Sequence, residues 1–306
     1  MFYDVKHVTR FAYSRPVFCE PLWVRLRPRV DAAQAVHRYR LEIRPEPVGL
    51  SEFIDLDGNL VALAWFEGLT CSLSVTSTWL VETLRSNPFD FLLPPGALSL
   101  PLKFASDEDE LARHYATPGE VGPKVIDLAG TLRNDSGGET LEFLTRLVRE
   151  IDTRCEKIVR EEGTPWSPER TLAEGQGSCR DLALLFIETC RWVGIPARFV
   201  SGYHEGDPEG GERALHAWAE VYLPGVGWRG FDPTLGLAVA DRHVAVAAGR
   251  SPRSAAPTEG SFRGSDVRAQ LTTQLILNAL GPRLPDPQQG APAAQGATAD
   301  LSGSVV

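Results

Sequence analysis

The sequence predicts an α+β protein in which a β-rich, sandwich-like N-terminal domain precedes a core built from a helix packed on an antiparallel sheet. Three observations lead to this prediction. Apolar residues alternate with polar ones over much of residues 2–85, which is typical of half-buried strands. Helical periodicity appears at 139–155 and 180–193, and alternation returns after residue 196. The length of 306 residues is enough for two domains with substantial cores.

The N-terminal domain shows its clearest alternation in the segments HRYRLEI and LTCSLSVTSTWLV. Between them, Asp57-Gly58 separates two apolar runs, and this dipeptide favours a hairpin turn. The surrounding D-x-D-G pattern also suggests a calcium loop, but Phe66 occupies the position of the closing glutamate, so we expect a plain turn. We therefore assign residues 1–90 to the β-rich domain and the proline-rich residues 91–105 to a connector.

Residues 106–281 are predicted to form the core domain, including a C-terminal strand. In its first long helix, Leu144, Leu147 and Ile151 fall on one face, which we expect to be buried. From residue 282 the chain is rich in proline, glutamine, alanine and glycine and has few apolar residues to bury. Residues 282–306 are therefore predicted to be a disordered tail.

The composition excludes several classes of function. The net charge of −9, without a cluster of lysine and arginine, argues against nucleic acid or an anionic membrane as a partner. The N-terminus lacks the apolar core of a signal peptide and no stretch has 18 apolar residues, so we expect a cytoplasmic protein. Five scattered cysteines without a C-x-x-C pair predict neither a disulfide framework nor a structural zinc site, and we expect no cofactor.

The segment EGQGSCRDLALLFIETCRWVGIP contains a cysteine where a glycine-rich turn becomes an apolar helix. Ser178 and Asp181 form a predicted capping box, and Gly194 followed by Ile-Pro ends the helix. Cys179 is then the first helical residue. Free N–H groups and the helix dipole stabilise a thiolate there. Since buried helices do not need a cysteine at this place, Cys179 is a candidate nucleophile, although a small apolar residue at a helix start is the simpler interpretation.

A second segment, ALHAWAEVYLPGVGWRGFDPTLG, provides a candidate base and a residue that orients it. Two alternating runs flank a turn near Gly225, so His216 and Asp232, 16 residues apart, would lie side by side in a hairpin. We expect Asp232 to accept the Nδ1–H of His216 and to leave Nε2 facing the thiol. Alone, a strand histidine is usually a core residue and Asp-Pro is usually a turn; their joint arrangement favours the functional interpretation.

These segments, with the order Cys…His…Asp, resemble the transglutaminase-like superfamily, papain-like cysteine enzymes that include transglutaminases, peptide N-glycanases and bacterial cysteine peptidases. The resemblance covers roughly residues 137–250. The N-terminal segment HVTRFAYSRPVFCEPLWVRLRPR resembles the β-rich N-terminal region of the bacterial branch. The resemblance implies a papain-like core, with Cys179 as nucleophile, His216 as base and acid, and Asp232 as the residue that orients the histidine.

On this interpretation the protein is an acyl-transfer enzyme, a peptidase, amidase or transglutaminase, that acts on a protein or peptide substrate through a thioester. The Cys179 N–H would contribute to the oxyanion hole, and Gln176 is a candidate second donor. Tyr203, Trp218 and Trp228 are candidate walls of the substrate cleft.

Two other interpretations remain open. A non-catalytic binding module could keep the same fold, and a metal site could use Cys179, His204 and His216, although no ligand pattern supports it. Animal transglutaminases have Gln and Trp on either side of the cysteine, where this chain has Ser178 and Arg180. We therefore do not carry calcium dependence over from them.

Overall fold

The computed structural model describes residues 1–160, 163–206, 215–282 and 301–305; for 301–305, and for residues 106, 107 and 109, it describes the backbone alone. Within these ranges no helix is long and apolar enough to cross a membrane. The helices are α1 (Ser106–Ala116), α2 (Pro123–Asp135), α3 (Thr140–Arg154), α4 (Pro168–Glu174) and α5 (Cys179–Trp192), with a 3₁₀ turn at Pro95–Ala97. The strands are β1 (Phe2–Cys19), β2 (Leu22–Val24), β3 (Gln34–Arg44), β4 (Gly49–Ile54), β5 (Leu60–Trp65), β6 (Thr70–Thr83), β7 (Glu156–Lys157), β8 (Gln176–Gly177), β9 (Ala197–His204), β10 (Leu215–Leu223), β11 (Gly227–Asp232), β12 (Leu237–Ala238), β13 (His243–Gly249), β14 (Thr258–Glu259), β15 (Phe262–Arg263), β16 (Ala269–Gly281) and β17 (Leu301–Val305).

Two sheets form the N-terminal region, as the alternation predicts. One has the order β17-β16-β1-β6-β3, with β15 beside β1, and the other has the order β14-β2-β5-β4. Apolar side chains of both sheets meet in one core, which includes Val24, Leu26, Ile43, Ala64 and Val75. The sandwich-like architecture is therefore confirmed. The predicted turn between β4 and β5 is also present, with Gly58 at a φ of +78°.

The second half of the chain is an antiparallel sheet of order β12-β11-β10-β9-β13 with helices on one face. Helix α5 packs on this face, where Phe186 stacks on Phe231 of β11 at 5.6 Å between ring centroids. Leu144, Leu147 and Ile151 of α3 are buried in the same core, as their spacing predicts. The sheet thus holds the start of α5 close to the ends of β10 and β11.

The other face of this sheet packs on the N-terminal region. Tyr3 and Trp79, from β1 and β6, enclose Tyr203 of β9 in one buried cluster, which Leu277 of β16 completes. His7 of β1 lies in this interface, with Nε2 2.8 Å from the Thr9 hydroxyl and Nδ1 2.9 Å from the Tyr203 hydroxyl. Helices therefore cover one face of the sheet and the N-terminal region covers the other, so the two halves of the chain pack directly on each other.

Two buried amide side chains from the N-terminal region close the edge of β13. Gln34 accepts the N–H of Ala245 at 2.9 Å and donates to its carbonyl at 2.8 Å. Asn59 does the same for Ala248, at 2.7 Å in both directions. These two amide clamps replace the hydrogen bonds that a further strand would make, and an edge strand without them would leave buried polar groups unpaired.

The C-terminal segment differs from the prediction in two ways. Strand β16 pairs with β1 over most of its length, so residues 269–281 extend the N-terminal sheet and not the sheet of the core domain. The expectation of a disordered tail is wrong for residues 301–305, which form β17 on the outer edge of β16. The exposed edge of β16 offers unpaired N–H and C=O groups, which allow even a polar segment to add a strand. Residues 283–300 and 306 lie outside the described residues.

We predict that Gln34→Met lowers the free energy of unfolding by about 1–3 kcal/mol, because it leaves the buried Ala245 N–H without its acceptor. The side chain of Gln270 is exposed, so Gln270→Met is a matched control that should change stability by less than about 0.5 kcal/mol. Urea unfolding at equilibrium measures both variants. Equal stabilities for the two variants would show that the clamp on Ala245 does not hold β13.

Burial of His7 lowers its pKa from 6.5 to about 4. Because the unfolded chain takes up this proton first, the contribution of His7 to stability is complete above pH 6.5 and is lost as the pH falls towards 4. The wild-type protein should therefore lose about 1.4 kcal/mol per pH unit more than His7→Gln within this window. Urea unfolding of both proteins at several pH values measures the difference, and parallel curves would contradict a neutral, buried His7.

Candidate active site

Helix α5 begins at Cys179, and a buried carboxylate fixes its first turn. Asp181 accepts the N–H of Ser178 at 2.9 Å and its hydroxyl at 2.7 Å, which completes the predicted capping box. Arg160 reaches both oxygens of Asp181 at 2.7 Å, and the N–H of Trp166 donates to one of them at 2.7 Å. Burial opposes the charge of Asp181, but these hydrogen bonds outweigh burial and lower its pKa. Hydrogen bonds from Ser178, Arg160 and Trp166 to Asp181 thus fix the backbone that carries Cys179.

The hairpin of β10 and β11 brings His216 and Asp232 together. The strands pair from Leu223↔Gly227 back to Ala219↔Phe231, so the turn lies at 224–226 as the sequence predicts. His216 Nε2 lies 2.6 Å from Asp232 Oδ2, and the Cys179 thiol is close enough to the His216 ring to raise its pKa. The three residues that the two motifs single out therefore lie close together, with His216 beside Asp232 and under the influence of Cys179.

The orientation of the imidazole differs from the prediction. The hairpin predicts that Nδ1 of His216 faces Asp232, whereas in the structure Nε2 faces it. Asp232 lies at the end of the neighbouring strand, one residue beyond Phe231, the last residue of β11 that pairs with β10. Nε2 is farther from the backbone than Nδ1 and can reach this carboxylate. The hairpin spacing predicts the contact between the two side chains but does not distinguish the ring nitrogens.

Electrostatic attraction stabilises the pair of the His216 imidazole and the Asp232 carboxylate. Burial alone would lower the pKa of His216, but the negative charge of Asp232 and hydrogen bonds to Asp232 and Cys179 outweigh burial and raise it. Burial would likewise raise the pKa of Asp232, but the charge and hydrogen bond of His216, with a contribution from His243, hold it well below the usual range. An imidazolium paired with a carboxylate is thus the favoured state of this dyad at neutral pH.

His243 is a residue of this site that the sequence analysis missed. It is the first residue of β13, it is buried, and its Nε2 lies 3.0 Å from the same Asp232 Oδ2 that contacts His216. The other oxygen of Asp232 accepts the N–H of Thr234 at 2.9 Å. The available signal was a histidine that opens an apolar strand, as His216 does, but nothing in the sequence shows that β13 ends beside Asp232.

The predicted aromatic walls of the cleft are wrong for Tyr203 and Trp218. Tyr203 is fully buried in the interface with the N-terminal region, where it contacts Trp79. Trp218 is also buried and packs edge-to-face on His243, with 5.2 Å between ring centroids. Tyr203 lies on the face that the N-terminal region covers, and a sequence pattern cannot show that a second domain covers it. Trp218 packs in a small cluster with Val200, Ala245 and Ala248. Trp228 is half-buried and packs under the Arg198 guanidinium, 4.1 Å from the ring centroid.

Gln176 lies in β8, which pairs with β7 beside the start of α5. Its side chain is half-buried, and the residue precedes Cys179 by three positions in the sequence. Its place as an oxyanion donor stays a prediction.

The five cysteines differ in exposure. Cys179 is partly exposed, whereas Cys19, Cys155 and Cys190 are buried and Cys71 is exposed.

Among the described residues, His216, Asp232 and His243 are the group whose ligand atoms could hold a metal ion, since these atoms lie within 4.8 Å of one another. Their N···O separations of 2.6 and 3.0 Å are hydrogen-bond distances. Ligands of a tetrahedral metal, at about 2.1 Å from the ion, lie roughly 3.4 Å apart. His204 of the alternative metal site accepts the N–H of Gly206 with Nδ1 at 3.0 Å. The arrangement is therefore that of a hydrogen-bonded cluster.

Comparison with known proteins finds two family models that match this chain. Residues 127–233 match the model of the transglutaminase-like superfamily, and residues 3–82 match the bacterial transglutaminase-like N-terminal region. An uncharacterized protein of Mycobacterium leprae is 26% identical over 265 residues, which cover 85% of this chain and 92% of that protein. An uncharacterized protein of Mycobacterium tuberculosis is 27% identical over 285 residues, which cover 84% and 86%.

The fold also has a solved counterpart. The crystal structure of a candidate cysteine protease from Cytophaga hutchinsonii superimposes with a TM-score of 0.67 at 21% identity and covers 93% of this chain and 92% of its own. At this identity the similarity shows the fold alone. The two family models fall on the two halves described above, one on the N-terminal sandwich and one on the helices and sheet that hold Cys179. Residues 127–233 therefore form a region similar to the transglutaminase-like superfamily, whose members are typically cysteine-dependent enzymes, and residues 3–82 are similar to the N-terminal region of its bacterial branch.

Proposed function

We propose that the protein is a cysteine-dependent acyl-transfer enzyme that acts on an amide or peptide bond of a protein or peptide. The observation that carries this proposal is the proximity of the partly exposed Cys179 thiol to the His216 ring, which is itself hydrogen-bonded to the buried Asp232 at 2.6 Å. A nucleophile, a base and a group that orients the base are the three parts that such chemistry needs. The family supports a cysteine enzyme in general, and the geometry supports these particular roles.

In the first half of the reaction, the proton of the Cys179 thiol resides on His216, in the imidazolium form that Asp232 favours. The sulfur attacks the carbonyl carbon of the substrate, and negative charge develops on the carbonyl oxygen. The N–H groups at the start of a helix have no partner within the helix, so the N–H of Cys179 is positioned to stabilise this oxygen. His216 then returns its proton to the departing nitrogen, the C–N bond breaks, and a thioester remains on Cys179.

In the second half, His216 removes a proton from water or from a primary amine, and the resulting nucleophile attacks the thioester. Water gives a carboxylic acid and an amine gives a new amide; in both cases the thiol is regenerated. Asp232 stays ionised throughout, because its charge is balanced by His216 when the ring is protonated and by hydrogen bonds from His243 and Thr234 when it is neutral. Its task is to orient the imidazole and stabilise its charged form.

We expect iodoacetamide to alkylate Cys179 faster than Cys71 at pH 7, although Cys71 is the more exposed thiol. The reason is that Cys179 lies near the His216 imidazole and at a helix start. Peptide mass spectrometry of partly alkylated protein measures both rates in the same sample. His216→Gln should remove the advantage of Cys179. Faster alkylation of Cys71 in the wild-type protein would contradict the nucleophile assignment.

We also expect Cys179→Ala and His216→Ala to abolish turnover with little effect on folding, and Asp232→Asn to reduce it by up to roughly 10⁴-fold. The assay incubates the protein with a peptide mixture, with and without a dansylated primary amine. It measures an acyl adduct on Cys179, peptide cleavage and amine incorporation by mass spectrometry. Cleavage without incorporation indicates a peptidase or amidase, and incorporation indicates a transglutaminase. No adduct on an alkylation-competent Cys179 would favour the non-catalytic binding module.

A further inference from the structure

Asp232 carries a full negative charge in a fully buried position, so its hydrogen-bond donors decide where its oxygens point. Oδ1 accepts the N–H of Thr234, and Oδ2 is shared by two imidazoles, His216 at 2.6 Å and His243 at 3.0 Å. His216 must be free to exchange protons with the thiol during the reaction. His243 is the donor that can hold Oδ2 in place while His216 changes its charge.

The surroundings of His243 suit a neutral donor. Its Nδ1 is buried and has no hydrogen-bond partner among the described residues, so a proton there would be unsatisfied, and the single ring proton belongs on Nε2, facing Asp232. The ring packs against His204 at 4.5 Å and Trp218 at 5.2 Å between centroids, and His216 lies at 6.3 Å. Neighbouring Arg242 is paired with Glu205. Burial, with the nearby positive charges, lowers the pKa of His243 despite the opposing effect of Asp232.

The position of His243 is fixed by the N-terminal region. Strand β13 pairs with β9 on one side, with His243 opposite His204. On its other side no strand of the described part of the chain pairs with it, and the clamps of Gln34 and Asn59 hold Ala245 and Ala248 instead. The N-terminal region thus holds the strand whose first side chain contacts Asp232.

We propose that His243 is a positioning residue of the acyl-transfer site, a neutral imidazole that keeps the Asp232 carboxylate aligned with His216 and that the N-terminal region holds in place through β13. The inference rests on the proposed function, since it requires an active Cys179–His216 pair. It predicts that the reactivity of Cys179 depends on a hydrogen-bond donor at the position of His243 Nε2 and does not depend on the imidazole ring itself.

The experiment measures the rate of Cys179 alkylation by iodoacetamide as a function of pH, which requires no substrate. All proteins carry Cys71→Ser so that one accessible thiol remains. We expect His243→Leu to slow alkylation by about 10- to 100-fold, in line with the cost of small misplacements in active sites, and to move the acid limb of the profile to higher pH. The limb moves because a carboxylate that loses a donor is protonated more readily. His243→Gln, whose amide N–H reaches the Nε2 position, should stay within a few-fold of the parent protein.

Two further variants keep the outcome clear. His7→Leu also removes a buried neutral histidine, so it should lower the melting temperature while the parent alkylation profile is retained. If His243→Leu does not fold, His243→Asn replaces it, because its amide is one methylene too short to reach Oδ2, and it should be slow where His243→Gln is fast. Parent-like profiles for His243→Leu or His243→Asn would overturn this inference alone. If Cys179 of the parent protein is alkylated no faster than an ordinary exposed thiol, the proposed function and this inference are both overturned.

Discussion

The buried negative charge of Asp232 is the constraint on which the site depends. A carboxylate that is removed from water is stable only when donors surround it and an opposite charge lies close. Here the donors come from β10, from the turn after β11 and from β13, so the charge is satisfied only when three segments of the sheet are in register. Because His216 is held by this charge and Cys179 by His216, the reactive sulfur is positioned by the sheet as much as by its own helix.

The start of α5 shows the same principle on the other side of the site. Asp181 is buried as well, and its partner Arg160 comes from a segment that precedes the helix by almost twenty residues. The guanidinium of Arg160 also stacks on Trp166, with 4.4 Å to the ring centroid. Two buried carboxylates, each with its own cation and its own backbone donors, therefore fix the two halves of the site independently. The thiol lies where these two rigid elements meet.

Much of this arrangement could be predicted from the sequence. The capping box of Ser178 and Asp181, the stop at Gly194 and the hairpin that joins His216 to Asp232 are local, since each depends on residues within one or two elements. What could not be predicted depends on contacts between distant segments. His243 reaches Asp232 only because β13 lies beside β9, and Tyr203 is buried only because β1 and β6 cover that face. The pairing of β16 with β1, more than 250 residues apart, has no local signal at all.

The central claim is that Asp232 holds His216 in its charged form within the folded protein, and the titration of His216 by nitrogen-15 NMR tests it most directly. The pKa of His216 should lie above its ordinary value of 6.5, so that the ring is still an imidazolium at pH 7. In Asp232→Asn the effect of burial should prevail, and the pKa should fall below 6.5. A His216 ring that is already neutral at pH 7 in the wild-type protein, or that titrates identically in Asp232→Asn, would contradict the account.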